Sequence, residues 1–433
     1  MKIHCSFLAS AVLLVLAAFA PISAQPNTPA NTIKVGIMIG SGDPGTTTLL
    51  RSANMAIDEV NNAGGVLGKK LQLLPIFNSR RNYDTVPALT AQILARGAEV
   101  LISCGGSSTT MRATEVTIQK GVFTITPSST SPKISRLQDN GLVWRTIPHD
   151  LFQGRIAADV LGKTKHRTVT VVHPDNAYGS ELAKTFKELF EKQADKKVLN
   201  IVPYKEADRK NYDFKTLLDK IYDGKPEALY LIGADEISLM LTQSAQAGKI
   251  TASYKPFLFG CDGEYNDDFI AGVETSLVEG MMGVTYIHPT NDKSFTRFIE
   301  EFQKRATFDD SVTVANSSLA ALMSSEATNS YAASMYDAVY TMALAIAKAG
   351  SVKGSDIAKQ MPEIANARKG AQTVRGGEFA RGLQLIKQNV PINYDGVSGP
   401  IEFDQNGDVS SGNYLVWRIH DGKFVEEKVI AFP

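Results

Sequence analysis

Cysteine is scarce in this chain, and neither sign of charge predominates. The 433 residues include three cysteines, and 45 lysines and arginines balance 45 aspartates and glutamates. The missing net charge argues against nucleic acid or an anionic membrane surface as partner, since both are met with concentrated positive charge. Catalytic signatures are missing as well. There is no G-x-S-x-G elbow and no H-E-x-x-H, and His149, His166, His173, His288 and His420 stand without metal-ligand spacing. A triad can assemble from distant positions, yet the loops inferred to face a cleft hold hydroxyls and acids and no evident base. Gly40 to Thr48 has the glycine spacing of a phosphate-binding loop, but Thr46 stands where the lysine belongs. A nucleotide loop is therefore not expected, and no cofactor is implied.

One long apolar run exists, and it lies at the N-terminus. Lys2 precedes it, it spans Phe7 to Ala20, and Pro21 to Ala24 supply small residues suited to cleavage after Ala24. Residues 1–24 are expected to be a signal peptide. The competing reading, an uncleaved anchor, needs an apolar span of about 20 residues, and this run is shorter. Cys5 precedes the run, whereas the lipid-carrying cysteine of a lipoprotein would follow it.

The most informative stretch is Leu101 to Thr130, LISCGGSSTTMRATEVTIQKGVFTITPSST. A strand ending at Ser103 runs through Gly105 and Gly106 into a helix starting near Ser107. That start gathers unpaired N–H groups and hydroxyls at the positive end of a helix dipole, a seat for a carboxylate. Ser107 or Ser108 can equally serve as plain helix caps. The next strand, Val122 to Thr126, ends in Pro127, Ser128, Ser129 and Thr130. Neighbouring parallel strands deliver such loops to one sheet edge, which is where open α/β sheets bind ligands. The alternation continues on both sides of this stretch, with strands at Ile33–Ile39, Leu71–Phe77, Thr168–His173, Val198–Tyr204, Ala228–Ile232 and Pro256–Gly260. A chain of this length suggests two such lobes.

IKVGIMIGSG, IDEVNNAGGVLGKKLQL, SSTT, ITPSST, DNAYG and GPIEFDQNGD, in this order and spacing, resemble the periplasmic solute-binding proteins of ABC importers, branched-chain amino acid type. The resemblance covers nearly all of the chain beyond the signal peptide. It implies an α/β fold of two doubly wound, Rossmann-like lobes joined by a multi-strand hinge, the type I periplasmic binding protein. The expected first lobe is 32–147 with 285–395, and the second is 148–284 with 396–433. It further implies hydroxyls of Ser107, Ser108, Ser128 and Thr130 on a ligand carboxylate, Asp262 on its ammonium, and Tyr178 as a cleft residue. From the residues alone, Tyr178 can also be a packing tyrosine with a wet hydroxyl, and Asp262 an exposed loop acid or a helix cap. Gly45 and Gly233 occupy places where the family often carries lid aromatics, which admits a larger ligand, including an aromatic acid, an amide or an apolar solute. Arg80 replaces the first cysteine of the family's disulfide. Cys104 and Cys261 are expected in opposite lobes, where a bond would pin the cleft, so two free thiols are expected. The implied partners are a small-molecule ligand and an ABC permease, or alternatively a sensor receptor, with the protein a periplasmic monomer. Gly370 to Gly377 reads as a loop, DQNGD as a hairpin turn rather than a metal loop, and Ser398–Phe403 with Tyr414–Ile419 as paired strands.

Overall fold

The structure is a computed structural model that describes residues 31–41, 45–79, 82–205, 212–288, 292–306 and 330–432. The expected signal peptide and Arg80 lie outside the described residues, as does the stretch around Leu319 to Met323, which the sequence leads one to expect helical.

Two sheets organise the chain. The first is built from β1 (Thr32–Ser41), β2 (Lys70–Ser79), β3 (Val100–Ser103), β4 (Thr124–Thr126) and β5 (Val143–Arg145), in the order β2-β1-β3-β4-β5. Every pairing in it is parallel. Helices α1 (Gly45–Asn62), α2 (Val86–Ala95) and α3 (Ser107–Lys120) make the crossovers. Strands β1 and β3 are apolar and almost wholly buried, as befits strands covered on both faces.

The second sheet has seven strands. Parallel β6 (Thr168–Pro174), β7 (Lys197–Tyr204), β8 (Ala228–Leu231), β9 (Phe257–Gly260) and β10 (Met282–Ile287) are joined by antiparallel β14 (Gly412–His420) and β15 (Lys423–Phe432). Helix α4 (Asp150–Gly162) enters this lobe, and α5 (Ala177–Phe190) follows β6. A small third sheet holds β11 (Gln372–Arg375), β12 (Ile392–Gly396) and β13 (Gly399–Pro400). It packs with the helix Ser330–Ala349 into the first core, where Tyr336, Val339, Tyr340, Leu344 and Ile346 are fully buried.

Three sequence expectations change here. Gln372–Arg375 is a strand, because Val374 is buried and the segment pairs in parallel with β12. Ser398–Phe403 does not pair with Tyr414–Ile419. Phe403 instead bridges Val409 across the DQNGD turn, and β14 pairs with β10 and β15. The last crossing also falls later than residue 396, since Val397, Ile401, Phe403 and Val409 are buried in the first core. The chain thus passes between the lobes after β5, after β10 and before β14. Three linking segments restrict the lobes to hinge-like motion.

Gly283 shows how tightly the second lobe is packed. A Cβ there would lie 2.1 Å from the ring of Trp417, its partner across β10 and β14. Gly283→Ala is expected to cost about 1–3 kcal/mol through overpacking, read as a lower urea midpoint. Gly45→Ala, with nothing within 4 Å of the new methyl, should leave the midpoint in place.

Candidate functional site

The site is built where β3 and β4 of the first lobe face α4, α5 and the end of β9 in the second. Gly106, at φ 84, turns the chain into α3, and no side chain caps the helix. A residue with a Cβ is strained at that φ. The capping alternative for Ser107 and Ser108 therefore gives way to longer connections. The Ser107 hydroxyl accepts from the Ser131 N–H at 3.1 Å, which ties the two hydroxyl-rich loops together. The Ser108 hydroxyl accepts from the Ala177 N–H at 3.0 Å, and the Ser131 hydroxyl donates to the Ala177 carbonyl at 2.7 Å. Both bonds run from the first lobe to the start of α5, so this is a closed arrangement. An ion pair between the exposed Arg136 and the largely covered Glu181, at 2.6 Å, spans the same junction.

Opposite the loops stands Asp262, on a 3-10 turn that follows β9. Its Oδ1 accepts from Gln153 Nε2 at 2.7 Å and from the Tyr178 hydroxyl at 2.6 Å. Its Oδ2 accepts from the Tyr331 hydroxyl at 2.6 Å. Asp262 is therefore no exposed loop acid, nor does it cap the next helix, since Asn266 does that through Phe269 N–H. Tyr178 is not a wet packing residue. Its hydroxyl lies 2.9 Å from the Cys261 thiol, and burial followed by the charge of Asp262 pushes its pKa well up. Cys104 and Cys261 are both free and buried.

Ser128 and Thr130 lie on the same loop, with the Ser128 hydroxyl buried and without a partner. Four further residues belong here that sequence reasoning missed. Asp150 and Gln153 share one face of the first turn of α4, and Tyr331 opens the helix Ser330–Ala349 of the first lobe. The i, i+3 spacing of Asp150 and Gln153 did not single them out, because the same helix also carries Arg155 and Asp159. Arg145, at the end of β5, is fully buried and supports the loop from behind. Its Nε pairs with Asp408 at 2.5 Å, and its Nη1 donates to the carbonyls of Ser129 and Ser131 at 3.2 and 3.0 Å. Asp404 accepts the N–H groups of Asn406 and Asp408, so the DQNGD turn is closed on itself and delivers Asp408 to Arg145.

The glycine at 233 has a local cause. A Cβ there would meet the Tyr204 hydroxyl at 2.6 Å and Ile237 at 2.5 Å, so the space of a lid aromatic is already filled.

A model of the receptor family ligand binding region matches residues 48–422. The chain belongs to that family. Its fold is the two-lobed one of type I periplasmic binding proteins. The leucine-, isoleucine-, valine-, threonine- and alanine-binding protein of Pseudomonas aeruginosa is 25% identical over 370 residues, covering 85% of this chain and 84% of that one. Among solved structures, the LivJ substrate-binding protein of a branched-chain amino acid transporter from Streptococcus pneumoniae, in complex with isoleucine, superposes with a TM-score of 0.69 at 18% identity. That match covers 93% of this chain and 100% of the other. A solute-binding protein of an ABC transporter from R. palustris, in complex with benzoate, gives a TM-score of 0.70 at 17% identity, covering 93% and 97%. Among the described residues no helix is long and apolar enough to cross a membrane.

One acid beneath the site gives this family member a pH signature. Glu264 is fully buried, accepts the Cys261 N–H at 2.7 Å, and is pushed by burial up to about 8. The folded state thus holds a proton that the unfolded chain releases near pH 4.5. The stabilisation is complete below that value, falls by up to about 1.4 kcal/mol per pH unit as pH rises, and is gone above about 8. Glu264→Gln is expected to flatten this part of the melting-temperature profile between pH 5 and 8. An unchanged slope would show that Glu264 is ionised throughout.

Proposed function

We propose that this protein is an exported, periplasmic solute-binding protein that closes on an amino acid between its lobes and presents it to an ABC permease. The observation that carries this reading is the polarity of the cleft. Hydroxyls and an uncapped helix start lie on one side, and a carboxylate held by three donors lies on the other. A zwitterion fits that arrangement end for end, its carboxylate on the first lobe and its ammonium on the second. Only the closed state offers both ends at once, so the ligand shifts the hinge equilibrium by its differential affinity. The amino acid binders among the relatives support the same class. The benzoate complex supports an aryl acid less well, because an aryl acid would bring no counter-charge to Asp262.

The test is a thermal-shift screen of protein stripped of ligand by unfolding and refolding, against amino acids, amides, benzoates and apolar metabolites. Binding to the native state raises the melting temperature by mass action. Shifts with amino acids are expected. Shifts confined to benzoates or uncharged compounds would discard the zwitterion site.

A further inference from the structure

We propose that the second lobe carries a second binding site, on the edge of its sheet opposite the cleft, for a small amphiphilic dianion with a phosphate monoester head. The site is independent of what the cleft binds. Strands β6, β8, β9 and β10 run parallel, so Asp262, after β9, lies at one edge and the segments that lead into these strands gather at the other. Those segments enclose a groove. It has two adjoining parts, of about 500 and 260 Å³, which share His166, Lys255 and Pro256.

The larger part is charged. Lys165, Lys225 and Lys255 line it, and Glu227 is the one acid among its lining residues. That acid is engaged by backbone, since it accepts the Arg167 N–H at 2.5 Å. Lys255 gives one N–H to the Ser276 carbonyl at 2.7 Å and keeps two. Three lysines against one glutamate leave two positive charges uncompensated, which a dianion cancels. Among the described residues no arginine lines the groove. There is thus no planar fork for a carboxylate, and lysines act as the point charges that hold phosphate.

The smaller part continues as an apolar trough along Phe257, Leu258, Leu277 and Met281. Its acid, Glu279, is occupied by His420 Nδ1 at 2.9 Å and the Asp421 N–H at 3.0 Å. A charged seat and an apolar seat therefore adjoin. His166 stands where they meet, its ring flat on Phe257 with centroids 4.6 Å apart and 9° between the planes. Burial, and then the charge of Lys165, push its pKa down, with Lys196 adding to this and Glu227 opposing it. The Thr164 hydroxyl donates to the Leu161 carbonyl at 2.7 Å and so accepts from His166 Nδ1 at 3.0 Å, which leaves Nε2 to take up a proton. A bound dianion reverses the charge around His166. The ring then gains a proton and becomes a fourth cation of the site.

The experiment is calorimetric titration of the full-length mature protein with phenyl phosphate, inorganic phosphate and phenol, at low ionic strength where the lysines are least screened. Phenyl phosphate should bind at least tenfold more tightly than inorganic phosphate, and phenol should give no binding. Lys165 is exposed, so Lys165→Glu should fold normally. It should weaken phenyl phosphate tenfold or more while leaving amino acid binding in the cleft within about twofold. A second measurement reads the proton. In protein labelled at its histidines, the His166 resonances, assigned with His166→Gln, should titrate at higher pH with phenyl phosphate than without. Flotation with vesicles of phosphatidylcholine containing phosphatidic acid distinguishes the source of the head group: flotation lost in Lys165→Glu assigns a lipid, and no flotation beside tight phenyl phosphate binding assigns a soluble ester. Equal affinity for phenyl and inorganic phosphate would mean an adventitious ion only and overturns the site. Phenyl phosphate binding unchanged in Lys165→Glu, or a His166 titration that does not move, overturns it as well.

Discussion

Asp262→Ala is expected to weaken amino acid binding by at least a hundredfold, about 3 kcal/mol. The loss has two parts. The ligand's ammonium loses a charged acceptor, and charge-assisted bonds of this kind are about twice as strong as neutral ones. In addition Gln153, Tyr178 and Tyr331, which all donate to Asp262, lose their common acceptor. Tyr331 comes from the first lobe and the other two from the second, so the carboxylate also helps hold the closed form. Asp262→Asn separates the two parts, since it keeps the shape of the acceptor and removes the charge. Affinity that survives both substitutions would remove the ammonium-pairing model and leave the fold untouched. Calorimetry measures the affinity, and small-angle scattering with and without amino acid reports closure.

The second large effect is expected at Arg145. Removing one partner of a buried ion pair leaves an uncompensated charge and costs about 3–5 kcal/mol. Arg145→Met should therefore lower the urea midpoint clearly, because Asp408 is left without its partner. It should lower affinity too, because the guanidinium holds the Ser129 and Ser131 carbonyls and with them the loop that carries Ser128 and Thr130. Arg145→Met combined with Asp408→Leu provides the discriminating case. Apolar replacement of a whole buried pair is often close to neutral, so the double variant should regain most of the stability and little of the affinity. If affinity returns together with stability, the loop does not depend on Arg145.

Much of this architecture could be read from the chain because strands covered on both faces write themselves as unbroken apolar runs. Val35 to Ile39 and Ala228 to Leu231 are such runs, and they lie in β1 and β8. The C-terminal part was harder. Gln372–Arg375 is a short strand that turns a single side chain, Val374, into the core, and Lys423–Phe432 is an edge strand with charged residues along it, so neither has the pattern of a core strand. The cleft was legible where a local rule applied: glycines before a helix, and hydroxyls after a strand. Asp262 and Tyr178 came through family resemblance, since nothing nearby in sequence marks an acid that collects donors from residues 153, 178 and 331. Asp150, Arg145 and Tyr331 escaped for the same reason. Their meaning lies in partners from other crossings of the chain, and a single sequence holds no trace of such pairing.

Both thiols among the described residues are sealed, Cys104 under the first sheet edge and Cys261 behind Tyr178. An oxidant therefore meets no exposed thiol there, and a maleimide dye has no native address among the described residues. A single cysteine introduced at the exposed Arg136, on the rim of the junction, would be the accessible thiol among the described residues. The chain is in that sense ready to be made into an optical reporter of its own closure.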